Sequence, residues 1–349
     1  MCIYILKDVI NYYNVHRSPV FCCFLDVSKA FDRVNHAILF KKMLRRGIPM
    51  YIVQFIAFWY QSQELQIRWG KTFSDSFFVT NGIRQGGILS PYLFNIVLDD
   101  LSIKLNQTNV GCFVGSFLLS HLSYADDMVL IAPSAKALQI LLSICEEYAR
   151  QNDIVYNTDK SKCIIFWPKV NVSDQVRFLL QGMSLKIVEQ IKYLGVYIDS
   201  NLSDDCEISK RSRGIYAAGN TIISNFGKCN SNCKILMFKT YCYNVYGISL
   251  WASYRVSSYA KAKVAHNDIF RTLMNVHRSE SATKLFAEHN VSNLDVISRN
   301  CMFSLMQRLL CSSNVIVKEM CGSNVRLHSK IWKRWSIALG VDWESLMNF

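Results

Sequence analysis

An unbroken apolar row, Val20-Phe21-Cys22-Cys23-Phe24-Leu25, runs straight into Asp26. Further along, Asp126-Asp127 stands between the apolar stretches Phe117-Leu118-Leu119, with Leu122, and Met128-Val129-Leu130-Ile131-Ala132. The first pattern predicts a strand buried on both faces, the second a β-hairpin with the acids at its turn. Around them the apolar spacing predicts helices over 1–15, 36–46, 50–62, 91–106 and 134–151. Asn35 can cap the helix over 36–46 and Gly47 with Pro49 can end it, with Ile38, Leu39 and Leu44 expected inside and Lys41, Lys42, Arg45 and Arg46 outside. In the helix over 134–151, Leu138, Leu141, Leu142, Cys145 and Tyr148 keep the helical period, while Lys136, Glu146, Glu147 and Arg150 should face water. Further strands are predicted at 64–69 and 73–80, paired across Gly70-Lys71-Thr72, at 163–167, and as a hairpin of 184–188 with 191–198. After residue 200 strands give way to helices, predicted over 207–227, 231–257, 260–276 and 292–312. With no repeat and no Gly/Ser linker, the expected organisation is an α+β unit over 1–200, an antiparallel sheet with helices packed on one face, joined compactly to a mainly helical unit over 201–349.

Composition adds little to the fold but changes the picture of partners. Half of the 349 residues are apolar, 51%, enough for a sizeable core. No run reaches the roughly 18 uncharged apolar residues of a membrane helix, and Lys7 and Asp8 come too early for a signal peptide, so an intracellular protein without a membrane partner is expected. The 13 cysteines are scattered and read as small buried hydrophobes rather than a disulfide framework. Cys229 with Cys233, or Cys301, Cys311 and Cys321 with His328, lack the paired C-x2-C halves of a zinc site. The net charge of +13 is uneven, +4 over 1–200 and +9 over 201–349. A basic helical half beside clustered acids suits a polyanion held by one and processed with metal by the other.

Candidate chemistry lies where polar residues interrupt the apolar pattern. Alone, Asp-Asp is an ordinary polar turn. Two adjacent carboxylates nonetheless repel and raise one another's pKa, and hard oxygen ligands in a pair suit Mg2+ or Mn2+. A buried unpaired acid is costly, so Asp26 should stand at its strand's end facing a ligand. Neighbouring strands could bring Asp26 to Asp126 and Asp127, a carboxylate cage for two divalent ions. Gly82, Gly86 and Gly87 with Pro91 form a loop opening a helix. There Arg84 and Gln85 offer a cation and an amide where a phosphate or base would sit. Lys160 and Lys162 lie in a polar turn that could serve a leaving phosphate. Taken together the residues suggest phosphoryl transfer on a nucleic acid.

The sequence resembles the reverse transcriptases, more narrowly those of non-LTR (LINE-like) retrotransposons. Phe24-Leu25-Asp26-Val27-Ser28-Lys29-Ala30-Phe31-Asp32 is similar to that family's first catalytic motif, Gly82 to Pro91 with Phe94 to its glycine-bearing substrate motif, and Tyr124-Ala125-Asp126-Asp127 to its acidic box. Lys160 sits where the next motif places a lysine, and Tyr193-Leu194-Gly195 resembles the primer-gripping hairpin. The resemblance covers 20–200, and more loosely 215–220 and 246–251. It implies a polymerase palm followed by a thumb-like helical region, acting as an RNA-directed DNA polymerase on an RNA template, a DNA primer and deoxynucleoside triphosphates. Asp26, Asp126 and Asp127 would hold two Mg2+, or Mn2+, with the Val27 carbonyl as a further ligand. Phe31 would be the gate against a ribose 2′-hydroxyl, though a Phe at such a place is commonly core. Arg84, Gln85 and Gly86 would meet nucleotide and template, Lys160 would protonate the departing pyrophosphate, and Tyr193, Leu194 and Gly195 would hold the primer.

Complete family members carry a fingers region before the first motif and often an endonuclease domain. Only 25 residues precede Asp26, so the fingers are expected to be largely missing, as in a truncated copy. The rival expectation is therefore an inactive remnant that only binds nucleic acid. A palm-like nucleotide cyclase explains neither the Gln85-Gly86 loop nor the hairpin at Tyr193. Template identity and oligomeric state are not legible in the sequence.

Overall fold

In the computed structural model, which describes residues 1–166, 176–243, 245–322 and 324–340, the chain opens with helix α1 (Cys2–Val15) and strand β1 (Val20–Leu25). Helices α2 (His36–Arg45) and α3 (Met50–Gln61) follow, then a ragged hairpin of β2 (Glu64–Leu65), β3 (Arg68–Trp69), β4 (Thr72–Phe73) and β5 (Phe77–Phe78). Helix α4 (Ser90–Gln107) leads to the small hairpin β6 (Cys112–Val114) and β7 (Phe117–Leu119), then to β8 (His121–Tyr124) and β9 (Asp127–Ala132). After α5 (Ala135–Gln151) come β10 (Lys162–Phe166), the pair β11 (Leu179–Leu180) and β12 (Met183–Ser184), β13 (Lys186–Ile187), and the hairpin β14 (Gln190–Tyr193) and β15 (Val196–Asp199). The Asn35 cap read from sequence holds, its side chain accepting from Ala37 N and Ile38 N, and α5 has a cap the sequence reading did not name, Ser134, which accepts from Ala137 N.

The central sheet has the order β13-β10-β1-β9-β8. Strand β1 lies in the middle, antiparallel to β10 and β9, and only β13 runs parallel to its neighbour. Its alternate side chains enter two cores. Phe21, Cys23 and Leu25 face α4 and α5, where Leu138, Leu141, Leu142, Cys145 and Tyr148 are all buried as their period requires. Val20, Cys22 and Phe24 face a second core that spans the chain from Ile3 to Trp335. Its far side is built by α1 and by C-terminal helices, so both faces of the sheet are covered.

The C-terminal region consists of α6 (Asp205–Phe226), α7 (Ser231–Cys242), a short 3-10 turn at Ile248–Leu250, α8 (Val256–Leu273), α9 (Ala282–Glu288), α10 (Leu294–Leu310), α11 (Val315–Gly322), α12 (Asn324–His328) and α13 (Lys330–Leu339). Helices α6 to α9 enclose a core of their own around Phe238, Trp251 and Phe270.

Three sequence expectations need correction. The helix expected over 231–257 stops at Cys242, and the chain then enters the 3-10 turn through Gly247, which adopts φ +83° and nestles against the Val196 side chain, 3.1 Å from where a Cβ would stand. The hairpin expected from 184–188 and 191–198 is a different one. Leu194 (φ +45°) and Gly195 (φ +80°) form a two-residue turn that folds β14 onto β15, while Lys186–Ile187 joins the edge of the central sheet. In α2 the inside and outside are partly exchanged: Leu44 is exposed, and Lys42 is buried with its Nζ on Val97 O at 3.1 Å, Asp100 at 2.7 Å and the Tyr148 hydroxyl. A lysine with three oxygens waiting can be buried; the apolar period alone does not announce it. Trp167, the expected end of the strand over 163–167, lies outside the described residues.

Helix α1 also carries a buried acid. Asp8 accepts from Ser329 Oγ at 2.8 Å, Ser329 caps α13, and Trp332 Nε1 donates to Tyr4 Oη at 2.8 Å, so α1 and α13 are knitted together. Burial pushes the Asp8 carboxyl up from 3.8 to about 7. The folded state therefore binds a proton that the unfolded chain has released between these values, and stability falls as pH rises from about 4 to about 7. Urea melts across that window should show the decline in wild type and a flatter profile in Asp8→Asn; equal slopes would remove Asp8 from the account.

Candidate active site

The site begins where β1 runs out. In the β1/β9 register Leu25 lies opposite Met128, so the next rung sets Asp26 beside Asp127. Across β8 and β9, Tyr124 pairs with Asp127, leaving Ala125-Asp126 as the two-residue turn with Ala125 at φ +53°. The tight turn sets two consecutive acids at the end of the sheet. Asp26 and Asp126 are half-buried, and Asp127 still reaches solvent. Its carboxyl is nevertheless pushed above the ordinary range, first by partial desolvation and then by the negative charges of Asp126 and Asp26. The register and the turn thus set the three acids read from sequence at one end of the sheet, where Asp26 and Asp126 act on Asp127. Among the described residues no three His, Cys, Asp or Glu side chains close on a single point, so the carboxylates form an open rim rather than a finished cage. The donor set suits a hard divalent ion: oxygen ligands only, on a pair of neighbouring strands, with repulsion that a cation would relieve.

Backbone bonds hold Asp26 from the other side. Asp26 N donates to Ser161 Oγ at 3.0 Å, Asn157 N donates to Asp26 O at 2.8 Å, and Val27 makes a bridge with Tyr156. The turn that carries Lys160 is therefore fastened to Asp26. Asn157 shapes that turn by accepting from Asp159 N and Lys160 N, both at 3.1 Å, and leaves the Lys160 side chain exposed. Ser161, fully buried, escaped the sequence reading, since a serine in a polar turn gives no sign of its partner.

The glycine loop is tied to the same segment. Ile83 N donates to Phe31 O and Gly82 N to Val34 O, each at 2.8 Å, and His36 Nε2 bonds the Gly82 carbonyl at 2.7 Å. A Cβ on Gly82 would stand 2.7 Å from Asp32 O, at φ +91°, which explains the glycine there. Gln85 Nε2 donates to Asp32 Oδ1 at 3.0 Å, a clasp the sequence reading missed because it assigned Asp32 no partner. Gly86 (φ +80°) is exposed with nothing within 4 Å of a would-be Cβ, and Arg84 is exposed beside it. Phe31 is half-buried and stacks on Phe94, ring centroids 4.9 Å apart and 17° between planes. Part of Phe31 is core, and part remains open.

The third group divides. Tyr193 is buried against Phe24, ring centroids 5.1 Å apart, so its side chain stays inside. Leu194 and Gly195 carry the turn, which is pinned to α6: Arg211 donates to Gly195 O at 2.5 Å, and Tyr197 N donates at 2.9 Å to Glu207, itself bonded to Arg211.

The sequence profile for "Reverse transcriptase (RNA-dependent DNA polymerase)" matches residues 4–198. The chain belongs to the reverse transcriptase family. Relatives of this chain include the Pol polyprotein of retrotransposable element R2DM of Drosophila melanogaster, 29% identical over 199 residues, 55% of this chain and 19% of that protein. The RNA-directed DNA polymerase of mobile element jockey of Drosophila funebris is 27% identical over 244 residues, 65% of this chain and 26% of that protein. The chain spans about a fifth to a quarter of the length of these relatives. Among solved structures, telomerase from Candida tropicalis with a fragment of telomeric RNA aligns at TM-score 0.45 and 12% identity, covering 99% of this chain and 51% of that one. No described helix of the chain is long and apolar enough to cross a membrane.

Proposed function

We propose that this chain is the palm and thumb-like part of an RNA-directed DNA polymerase that extends a DNA primer along an RNA template. The observation that carries the reading is the register that sets Asp26 beside Asp127 with Asp126 in the adjoining turn. Asp26, Asp126 and Asp127, with the Val27 carbonyl, would hold two Mg2+ or Mn2+. When bound, the ions supply charge stabilisation for a primer hydroxyl attacking the α-phosphate of a deoxynucleoside triphosphate. The protein's own residues orient that reaction. Ser161 and Asn157 hold the Asp26 backbone, and the Gln85–Asp32 clasp fixes the glycine loop so that Arg84 and Gly86 face the nucleotide and template. Lys160, exposed on a turn bonded to Asp26, is placed to give a proton to pyrophosphate as it leaves. The Leu194-Gly195 turn would meet the primer strand, with Tyr193 supporting it from beneath.

The test is direct: purified protein with a primed RNA, deoxynucleotides and Mg2+ or Mn2+ should lengthen the primer, and chelation should stop it. Retained binding of the primed RNA with no extension under either ion would hand the chain to the alternative, a remnant that only binds nucleic acid.

Phe31 gives a second expectation. The open part of its ring would collide with a ribose 2′-hydroxyl, so Phe31→Ala should raise ribonucleotide incorporation relative to deoxynucleotide by roughly tenfold or more. Because the ring also stacks on Phe94, the variant should melt somewhat earlier. Earlier melting with unchanged sugar preference would leave Phe31 a core residue only.

A further inference from the structure

Helix α3 carries no charge and only two polar amides, Gln54 and Gln61, yet only three of its twelve residues, Val53, Ile56 and Tyr60, are buried. No charged residue occurs between Arg46 and Glu64. Tyr51 (71% exposed), Phe55 (67%) and Phe58 (70%) form a stripe one and two turns apart, with Ile52 and Trp59 beside it. A helix with so few polar positions is ordinarily covered on more than one face. At about 200 Å² for each large side chain, these five expose roughly 600 Å² of contiguous apolar surface. That reaches the upper end of what a monomer ordinarily shows, roughly 300–600 Å², and supplies most of the roughly 800 Å² per partner of a stable interface.

We propose that the outer face of α3 is an interface between two copies of this chain, packed about a two-fold axis with α3 against α3. The occupant follows from the chemistry of the face. Nucleic acid is bound by cations, and here there are none across the helix. An uncharged apolar stripe is complementary to itself, as a two-fold contact requires, because no charge has to find its opposite. Beside the stripe, Trp59 edges a groove of about 350 Å³ that Arg84, Gly87, Ile88, Leu89 and Ser90 complete, room for one aromatic ring from the partner. Ile88, at 88% exposed, would be covered by the same contact. Since Arg84 and Gly87 belong to the glycine loop, pairing would also steady that loop from outside. The interface itself does not depend on the polymerase reading.

Light scattering on a sizing column, over about 1 to 50 µM, should give twice the 40.2 kDa of the chain, with an association that high salt does not weaken. Phe55→Glu combined with Phe58→Glu should run as a folded monomer by circular dichroism. Ile337→Glu, which charges a side chain 74% exposed on α13, should remain a dimer. If the double variant loses its fold, hydrogen exchange of wild-type α3 replaces it: amide protection there should rise with protein concentration. A wild type monomeric throughout overturns the proposal, as does an open-ended ladder of sizes, a dimer that survives the double variant, or α3 protected only by primed RNA or by neutral phospholipid vesicles.

Discussion

Asp126→Asn is expected to abolish primer extension while leaving the protein as stable as wild type, or slightly more so. Asparagine has the shape of aspartate and keeps to the same turn, so the Ala125-Asp126 corner survives. What disappears is one negative charge of three at the end of the sheet. In the free protein that charge is a burden, one of the causes that lift the Asp127 carboxyl above its ordinary range. Its removal relaxes the folded state. In catalysis the same charge would help hold an ion whose stabilisation of the transition state is worth several kcal/mol, so extension should fall by roughly 10³-fold or more. The combination separates chemistry from folding. Single-turnover extension, thermal melting and binding of the primed RNA on one preparation give the answer, and extension undiminished in the variant would remove Asp126 from its role. A melt well below wild type would instead make it a structural residue.

The sequence made this site legible because its parts are local. An apolar row that stops at an acid, an acid pair between two strands and a glycine loop before a helix each announce themselves within about ten residues, and the sheet needs only the register to join them. Tertiary partners were harder to read. Ser161 and Asp32 look like ordinary polar residues in turns, and only the fold shows them bonded to Asp26 and Gln85. Lys42 looks like one of four surface cations on α2 and is instead buried among three oxygens. The helix over 231–257 was overextended because its apolar spacing continues past Gly247, and a glycine alone does not declare that it will turn left-handed. Most opaque was the start of the chain. Lys7 and Asp8 read as charges that rule out a signal peptide, and that inference needs only their presence. Nothing nearby indicates that their partners lie some 200 and 320 residues away, at Asp204 and Ser329.

That distance gives Lys7 the largest expected effect on stability. Its ammonium lies 2.5 Å from Asp204 Oδ1 and 2.9 Å from the Leu250 carbonyl, and the Asp204 carboxylate also accepts from Ala252 N at 2.7 Å and Ser253 N at 2.9 Å. Both side chains are nearly sealed, 8% and 3% exposed, so water cannot take the place of either. Lys7→Met fits the volume but strands a buried carboxylate, and breaking such a pair from one side costs about 3–5 kcal/mol. Asp204→Asn strands the ammonium and weakens two backbone contacts where the chain enters α6, at a similar cost. Replacing both together, Lys7→Met with Asp204→Leu, should recover part of the loss, because two apolar groups leave no charge unpaired, while the amides of Ala252 and Ser253 still lack an acceptor. Urea midpoints of Lys7→Met, Asp204→Leu and the double variant form the cycle. Additive losses would mean the pair is solvated in solution and contributes little. A double variant more stable than either single one would establish that the pair ties α1 to the segment entering α6, and with it the strand that ends on Asp26 to the helical region that follows.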